Sequence, residues 1–542
     1  MAQRLDLSKK LFRGAVILTV AALVTKILSA AYRIPFQNIA GDIGFYIYQQ
    51  VYPFYGIALI FSTYGFPAVI SKLVAEQRQE DNQFIQTILI PAFLIIGGIG
   101  SALCSLFYWG ADWIASAMKD PELAGPIKLI SFSFLLMPVI SVLRGYYQGK
   151  SDMFPTAVSQ VAEQLIRVCG ILIFSLLLLW QGKSLYEIGF GAYLGSLLGG
   201  LACVTVLLLF MWKRKDLNLF QKKFLFQQRI KWKSLSKILL FQGLAFCMTS
   251  LILVLIQLVD SWHLYSLLLD SGMEQDSAKA LKGVYDRGQP LLQLGTVVAS
   301  SLSLTLIPLI SGYLKKGKFE EIEEKIRLSF RISITVGLGA AIGLLLLIES
   351  ANYMLFEDSK GSGTLGVLSL SIFFTSLVTT SSSILQSMGH YRSTVIVLML
   401  GILSKWVLNL LFVPLYSITG AALASVISFI FMSVLLHVRL KKYLRRTLLG
   451  MPHFRWLARG ILAMAIVLVI HGQVFQLFPI EGRLFASLQA LTGVLIGGTI
   501  YLVLIIRSGM FSFNELVLLP FGSKLALLLR QKHERELSEF DE

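Results

Sequence analysis

The sequence predicts an all-α polytopic membrane protein of fourteen transmembrane helices, built as two parallel six-helix repeats with two helices appended. Three observations predict it. Of 542 residues, 55% are hydrophobic and only 15% charged, with a mean hydropathy of +0.71, more apolar material than a soluble chain of this size needs. Apolar runs long enough to cross a bilayer recur along the chain. The basic residues cluster in the short links between those runs, which is the positive-inside pattern. A net charge of +17 could suggest nucleic acid, but this distribution excludes that partner.

A run of about 20 apolar residues crosses the hydrocarbon core. The first six spans on that criterion are 14–34, 44–71, 84–109, 126–147, 155–180 and 186–212. Basic residues up to Arg13, an apolar run from Gly14 and the small residues Ser29–Ala31 imitate a secretory signal. Lys26 interrupts the run and no soluble domain follows, so the segment is expected to stay as the first helix. A short turn at Asn38–Gly44 sends the second helix back. Pro53, Pro67, Pro138, Pro290 and Pro308 read as kinks whose freed carbonyls neighbouring helices re-satisfy.

The basic link 213–237 (KRKDLNLFQKKFLFQQRIKWKSLSK) divides the first six spans from the rest. It reads as a strap between two bundles or as a segment lying on anionic lipid. Six further spans follow at 238–263, 283–313, 329–349, 364–387, 393–415 and 418–438, then two more at 456–474 and 485–506. The domains expected are an N-terminal lobe, 1–212, the link 213–237, a C-terminal lobe, 238–440, the last pair, 441–507, and an amphipathic tail, 508–542.

Of 48 Lys and Arg, only Lys119, Lys183, Lys279, Lys282, Lys360 and Arg483 fall on one side. Lys26, Arg33, Lys128, Arg167, Arg287 and Lys405 lie within spans, and the remaining 36 fall on the other side, largely in 213–237, 315–331, 439–459 and the termini. Both termini are therefore expected in the cytoplasm. Cys104, Cys169, Cys203 and Cys247 lie in apolar spans without ligand spacing, and read as small core residues. No histidine pair has metal-ligand spacing. No Walker motif or catalytic triad is present, so an enzyme is not expected. The glycines of GFGAYLGSLLGG from Gly189 read as close helix packing.

The halves repeat. GFPAVISKLVAEQRQED from Gly65 matches LIPLISGYLKKGKFEE from Leu306, pairing Pro67 with Pro308. Gly149 pairs with Gly389, and Gly44 with Gly283. Glu163 and Arg167 fall opposite Lys405 and Asn409. All these offsets lie within 239–242, and an even number of helices per copy makes the copies parallel.

Charges at bilayer depth normally face a bundle interior or a water-filled cavity, and mark function. Here they are Lys26 and Arg33 in the first span, Glu163 and Arg167 in the fifth, Asp260 in the seventh, Asp286 and Arg287 in the eighth and Lys405 in the eleventh. Cations prevail, so a cavity lined by them suits an anion, and an arginine fork suits phosphate oxygens. Gln49, Gln50, Gln164 and Gln289 could bond sugar hydroxyls or simply join helices. The competing reading pairs Arg33 with Asp260, and Arg287 with Asp286 or Asp260, as mere register pins. Snorkelling of Asp286 and Arg287 to the interface is another.

The stretch TKILSAAYRIPFQNIAG…YPFYGIALIFSTYGFPAVISKLVAE and the stretch YDRGQPLLQLGTVVASSLSLTLIPLIS from Tyr285 resemble the stage V sporulation protein B type of polysaccharide transporter. That type belongs to the multidrug/oligosaccharidyl-lipid/polysaccharide (MOP) superfamily, with a MATE-like fold, which includes the lipid II flippase MurJ. The resemblance implies two lobes, alternating access, and a cationic cavity for the pyrophosphate and sugar of an undecaprenyl-linked precursor. It places cavity arginines at Arg33 and Arg287, and a lipid-tail groove at the last two spans. Tyr32-Arg33 departs from the Arg-Asp pair typical of MurJ.

The expectation is a flippase of a bacterial cytoplasmic membrane acting on a lipid-linked anionic saccharide. It is expected to act as a monomer among membrane lipids without a cofactor, coupled to membrane potential or a monovalent cation. The alternatives are a MATE-type drug/cation antiporter and a non-transporting scaffold for cell-wall or sporulation machinery.

Overall fold

A backbone inside hydrocarbon must satisfy its own hydrogen bonds, and the described residues form helices and no strands. The computed structural model describes residues 17–18, 20–76, 82–216, 232–297, 310, 313–314, 319–443, 451–478, 482–511 and 515. Most of the link 213–237 and of the tail 508–542 lies outside them, as do Pro308 and the later part of the expected span 283–313.

Among the described residues, 11 helices are long and apolar enough to cross a membrane. Two of these turn part-way. The stretch Val20–Glu76 breaks at Gly41 (φ 67°, ψ −176°), and Tyr391–Lys441 breaks at Ser417. The Gly41 conformation is essentially closed to residues with a Cβ. That residue therefore ends the first crossing and sets where Asp42 begins the second.

Two compact units emerge, one of 1–297 with 389–432, the other of 298–388 with 433–542. In the first unit, the pieces needed below are α1 (20–31), α2 (Arg33–Ile60), a π-turn (Phe61–Gly65), α3 (Phe66–Glu76), α4 (Asn82–Ala117), α5 (Ala124–Ser131), α6 (Ser133–Gly149), α7 (Phe154–Trp180) and α8 (Leu185–Lys213). They continue with α9 (Trp232–Ile238), a second π-turn (Leu239–Gly243), α10 (Leu244–Asp270), α11 (Gln275–Asp286) and α12 (Gly288–Gly295).

Between lipid-soluble helices, close approach of small residues replaces the hydrophobic drive of water. The glycines from Gly189 do this for α7 and α8. A Cβ on Gly195 would stand 2.5 Å from the Gly170 backbone, and one on Gly199 would stand 2.7 Å from the Glu163 carbonyl. That contact carries Glu163 and Arg167 into the bundle interior. Phe66, Val69 and Ile70 of α3 pack with Leu89, Met137, Leu239 and Cys247 in one apolar cluster. Cys104, Cys203 and Cys247 are buried as expected of core residues, but Cys169 is exposed on α7.

The second unit contains α13 (Phe319–Phe356), α14 (Ser362–Ser369) and α15 (Ser371–Ser387). The long helix α16 (Tyr391–Lys441) runs from the first unit into it, and α17 (Met451–Gln476) and α18 (Arg483–Arg507) follow. Leu347, Met464, Leu468, Tyr501 and Ile505 make its core. Tyr501 donates to the Thr335 carbonyl (2.8 Å), and its ring fills the space that a Cβ on Gly339 would need.

Candidate functional site

Tyr48, Tyr52 and Tyr55 recur at four- and three-residue spacing, so α2 presents them on one face. Tyr32 joins them from the turn before α2 and Tyr193 from α8. The Tyr32 and Tyr48 hydroxyls bond each other (2.6 Å), the Tyr193 ring stacks on Tyr48 at 4.9 Å, and the Tyr193 hydroxyl donates to the Tyr48 carbonyl. Two guanidinium groups enter this box of phenols.

Arg33 is fully buried, and its three nitrogens have no hydrogen-bond partner. Its carbon lies 4.3 Å from the Tyr52 ring centre and 5.9 Å from that of Tyr32. Arg167 donates to the Tyr55 hydroxyl (2.9 Å) and to Gln164, while its Nε has no partner. Among the described residues, neither arginine forms an ion pair. Cation–π contact supplies about 2 kcal/mol at a desolvated site. Burying an unpaired charge costs several kcal/mol, so ring faces leave Arg33 under-compensated, and two neutral acceptors leave Arg167 less so.

Around this box, every fully buried cation has a carboxylate. Lys405 reaches Asp260 (2.7 Å), the Ala421 carbonyl (2.8 Å) and the Ser425 hydroxyl (2.8 Å), which uses all three ammonium protons. Asp260 also accepts from Asn409 (2.9 Å) and Tyr285 (2.8 Å). Lys282 pairs with Asp286 one turn along α11 at 2.6 Å. Arg144 meets Glu163 (2.8 Å) and also bonds Ser159, Thr63 and Cys203.

Arg287 donates through Nε and Nη2 to one oxygen of Asp42, at 3.0 and 2.5 Å, and Gln37 adds a third bond at 2.9 Å. Gly283 permits this by lying directly on the Asp42 backbone. The turn at Gly41 and the small residue at 283 thus build one contact across 245 positions of sequence.

Several expectations are corrected by this geometry. Arg33 does not pair with Asp260, and Arg287 pairs with Asp42, not with Asp286 or Asp260. Asp286 and Arg287 do not snorkel to an interface; both are fully buried. Glu163 takes Arg144, not its helix neighbour Arg167. Lys279 and Lys282, counted among the links, are buried, and so is Arg144, which the charge count left among the cations of the cytoplasmic side. In each case the partner comes from another helix or turn, or the end of a span lies deeper than its hydropathy suggests.

Lys26 is half-buried two turns before Arg33. Gln49 and Gln289 are buried, and Gln49 lies beside Gln257 of α10 (3.4 Å). The sequence reading missed Asp42, Arg144 and the tyrosines, although the helical spacing of Tyr48, Tyr52 and Tyr55 was there to be read. Among the described residues, no group of three or more His, Cys, Asp or Glu could hold a metal.

Together these features define a multi-pass membrane protein with a buried cationic centre. The polysaccharide biosynthesis protein family matches residues 11–314, and the MatE family matches residues 245–411. The uncharacterized membrane protein YabM of Bacillus subtilis is 41% identical over 535 residues, covering 97% of each chain. Lipid II flippase MurJ of Bacillus subtilis is 25% identical over 529 residues, covering 92% of this chain and 95% of that protein.

A solved structure of lipid II flippase MurJ in an inward closed conformation superposes with a TM-score of 0.64 at 17% identity, over 90% of this chain and 98% of that one. An inward-facing MATE multidrug transporter of the MOP superfamily gives 0.59 at 14%, over 79% and 98%. The fold is MATE-like, and the chain belongs to the polysaccharide biosynthesis protein family.

Proposed function

We propose that this protein flips a lipid-linked anionic saccharide across the bacterial cytoplasmic membrane by alternating access. The reading is carried by the two fully buried guanidiniums, Arg33 and Arg167, which share a box of phenols and have no carboxylate. Two positive charges without a direct carboxylate contact match the two negative charges of a pyrophosphate diester such as an undecaprenyl-pyrophosphate saccharide. The free N–H groups of Arg33 are donors without acceptors, and phosphate oxygens are acceptors without donors. Gln49 and Gln289 would meet sugar hydroxyls. Lys26 would guide the head group inward, while Glu163, Asp260, Asp286, Arg287 and Lys405 hold the frame. The names of the relatives, lipid II flippase and stage V sporulation protein B, support the same substrate class.

In this reading the chain has fourteen membrane helices, two parallel six-helix repeats plus two, with both termini cytoplasmic. Dividing two long helical stretches at Gly41 and Ser417 would turn eleven candidate spans into thirteen, and the expected span 283–313, only partly described, would be the fourteenth. The protein works as a monomer without a resident cofactor or enzymatic activity, biased by membrane potential or a monovalent cation.

The MatE match favours a second reading, a drug/cation antiporter. That activity needs an unneutralised carboxylate, yet Asp260 and Asp286 each already hold a lysine. The test measures outer-face exposure of lipid-linked precursors in cells lacking the protein and in cells carrying wild type or Arg33→Ala. Exposure restored by wild type and not by an equally abundant Arg33→Ala supports flipping. Restoration by both removes the arginine mechanism and leaves the scaffold.

A further inference from the structure

Within the first unit, the strand of helix formed by α2 and α3 lies against that formed by α9 and α10. Near one end the contact is polar: Gln50 donates to the Ser261 carbonyl (3.0 Å). In the middle, Gly56 faces Val254, where a Cβ would stand 3.1 Å from a Val254 methyl. The other end is different. Both helices make a π-turn there, Phe61–Gly65 and Leu239–Gly243, and each turn ends in a glycine.

Those two glycines touch. A Cβ on Gly65 would fall on the Cys247 sulfur and within 3.1 Å of the Gly243 carbonyl, while the Phe66 ring covers Gly243 at 3.0 Å. Phe61, Phe66, Val69, Ile70, Leu239 and Cys247 enclose the crossing in apolar contact. A π-turn carries one surplus residue and is a local soft point in a helix. An apolar seam can part without stripping any charge of its partner, unlike the ion pairs around Asp260. Two soft points facing each other across an apolar contact of Gly65 and Gly243 with Cys247 and Phe66 form a paired hinge.

We propose that the Gly65–Gly243 crossing is the gate through which the anionic head group reaches the Arg33–Arg167 box. It packs this closely because neither position carries a Cβ, and it opens by bending at the two π-turns. The role in loading rests on the flippase reading; the gate itself does not. In the proposed orientation α3 and α9 lead to the cytoplasmic side, where the basic link 213–237 begins the second half.

Cys247 is a reporter already in place. The test uses the full-length chain in membranes, with the exposed Cys169 replaced by serine. A membrane-impermeant maleimide is applied from the cytoplasmic side to this protein and to its Gly65→Leu variant. The wedge is expected to speed Cys247 labelling by about tenfold or more, because overpacking of that size disfavours closure. A Gly65→Leu protein that is inserted and melts like the parent, yet labels no faster, overturns the gate.

The second arm locks it. A Cβ at position 65 would stand 3.3 Å from the Cys247 Cβ, just under the roughly 3.5–4.5 Å disulfide span, so a shift of a few tenths of an ångström allows the bond. Gly65→Cys is oxidised with copper phenanthroline, and the bond is detected by protease cleavage in the link followed by a non-reducing gel. The bonded protein is expected to stop exposing lipid-linked saccharide, and dithiothreitol to restore it. Flipping at an unchanged rate in the bonded protein overturns the gate. Since labelling needs no substrate, a labelling gain from the wedge with no saccharide exposure by any form would sink the flippase reading and leave the gate standing.

Discussion

The surroundings of Asp260 and those of Arg33 treat buried charge in opposite ways. Around Asp260, the ammonium of Lys405 has three oxygens and the carboxylate has a lysine, an asparagine and a tyrosine. Around Arg33, the guanidinium has only ring faces. A saturated pair has nothing left to offer a ligand and serves the frame. An unsaturated cation costs stability in the empty protein, and that cost is recoverable only when an anion arrives. The difference separates framework from binding site more sharply than charge alone does.

If that contrast is right, the two regions respond oppositely to losing their cation. Lys405→Met strands the Asp260 carboxylate, and should cost about 3–5 kcal/mol, read as a large drop in the thermal melt of the detergent-purified protein. Adding Asp260→Asn should return most of it, since the pair is then removed whole. A melt unaffected by Lys405→Met would erase the contrast from the framework side.

Arg33→Ala should do the reverse. Its melt should hold or rise, because an unpaired buried charge is gone. Outer-face exposure of lipid-linked saccharide should fall about 10- to 100-fold, the worth of hydrogen bonds to a charged group. Arg33→Lys should not restore it, because an ammonium lacks the planar fork. Arg167→Ala sharpens the point, with a smaller loss expected since Tyr55 already engages that side chain.

Asp42→Asn tests an intermediate case. The amide keeps one accepting oxygen for Arg287 and Gln37 but loses the charge, so the melt should fall by about 1–3 kcal/mol. The smallest effect belongs to the second unit, where Arg483 meets Glu357 in the open. Arg483→Ala should change the melt by less than about 1 kcal/mol. A large loss there would show that exposure does not govern what these pairs are worth.

The second unit extends the comparison. Its described interior joins helices through Tyr501 to Thr335 and Ser333 to Thr380, with no fully buried cation among the described residues. Hydroxyl and glycine contacts suffice to pack helices, so the unpaired guanidiniums of Arg33 and Arg167 in the first unit answer to something other than packing.

Much of this was legible without coordinates. The apolar runs and the glycines from Gly189 each report a local property, and where described they reappear as helices and a tight crossing. That Arg33 and Arg167 lie inside the bundle follows from their place in apolar runs, since a charge there cannot face lipid. The pairing scheme was not legible. Asp42 looked like a turn residue, Lys282 like part of a loop and Arg144 like the end of a span.

The sequence by itself determined a multi-pass helical protein with a cationic interior, because hydropathy and charge segregation act within single helices. Only the tertiary structure decided which cations are answered. Partners such as Arg287 and Asp42 lie 245 positions apart, and a glycine backbone turn at Gly41 and a bare Cα at Gly283 bring them together. Ion pairing depends on distances between helices, and no one-dimensional pattern of residues fixes those.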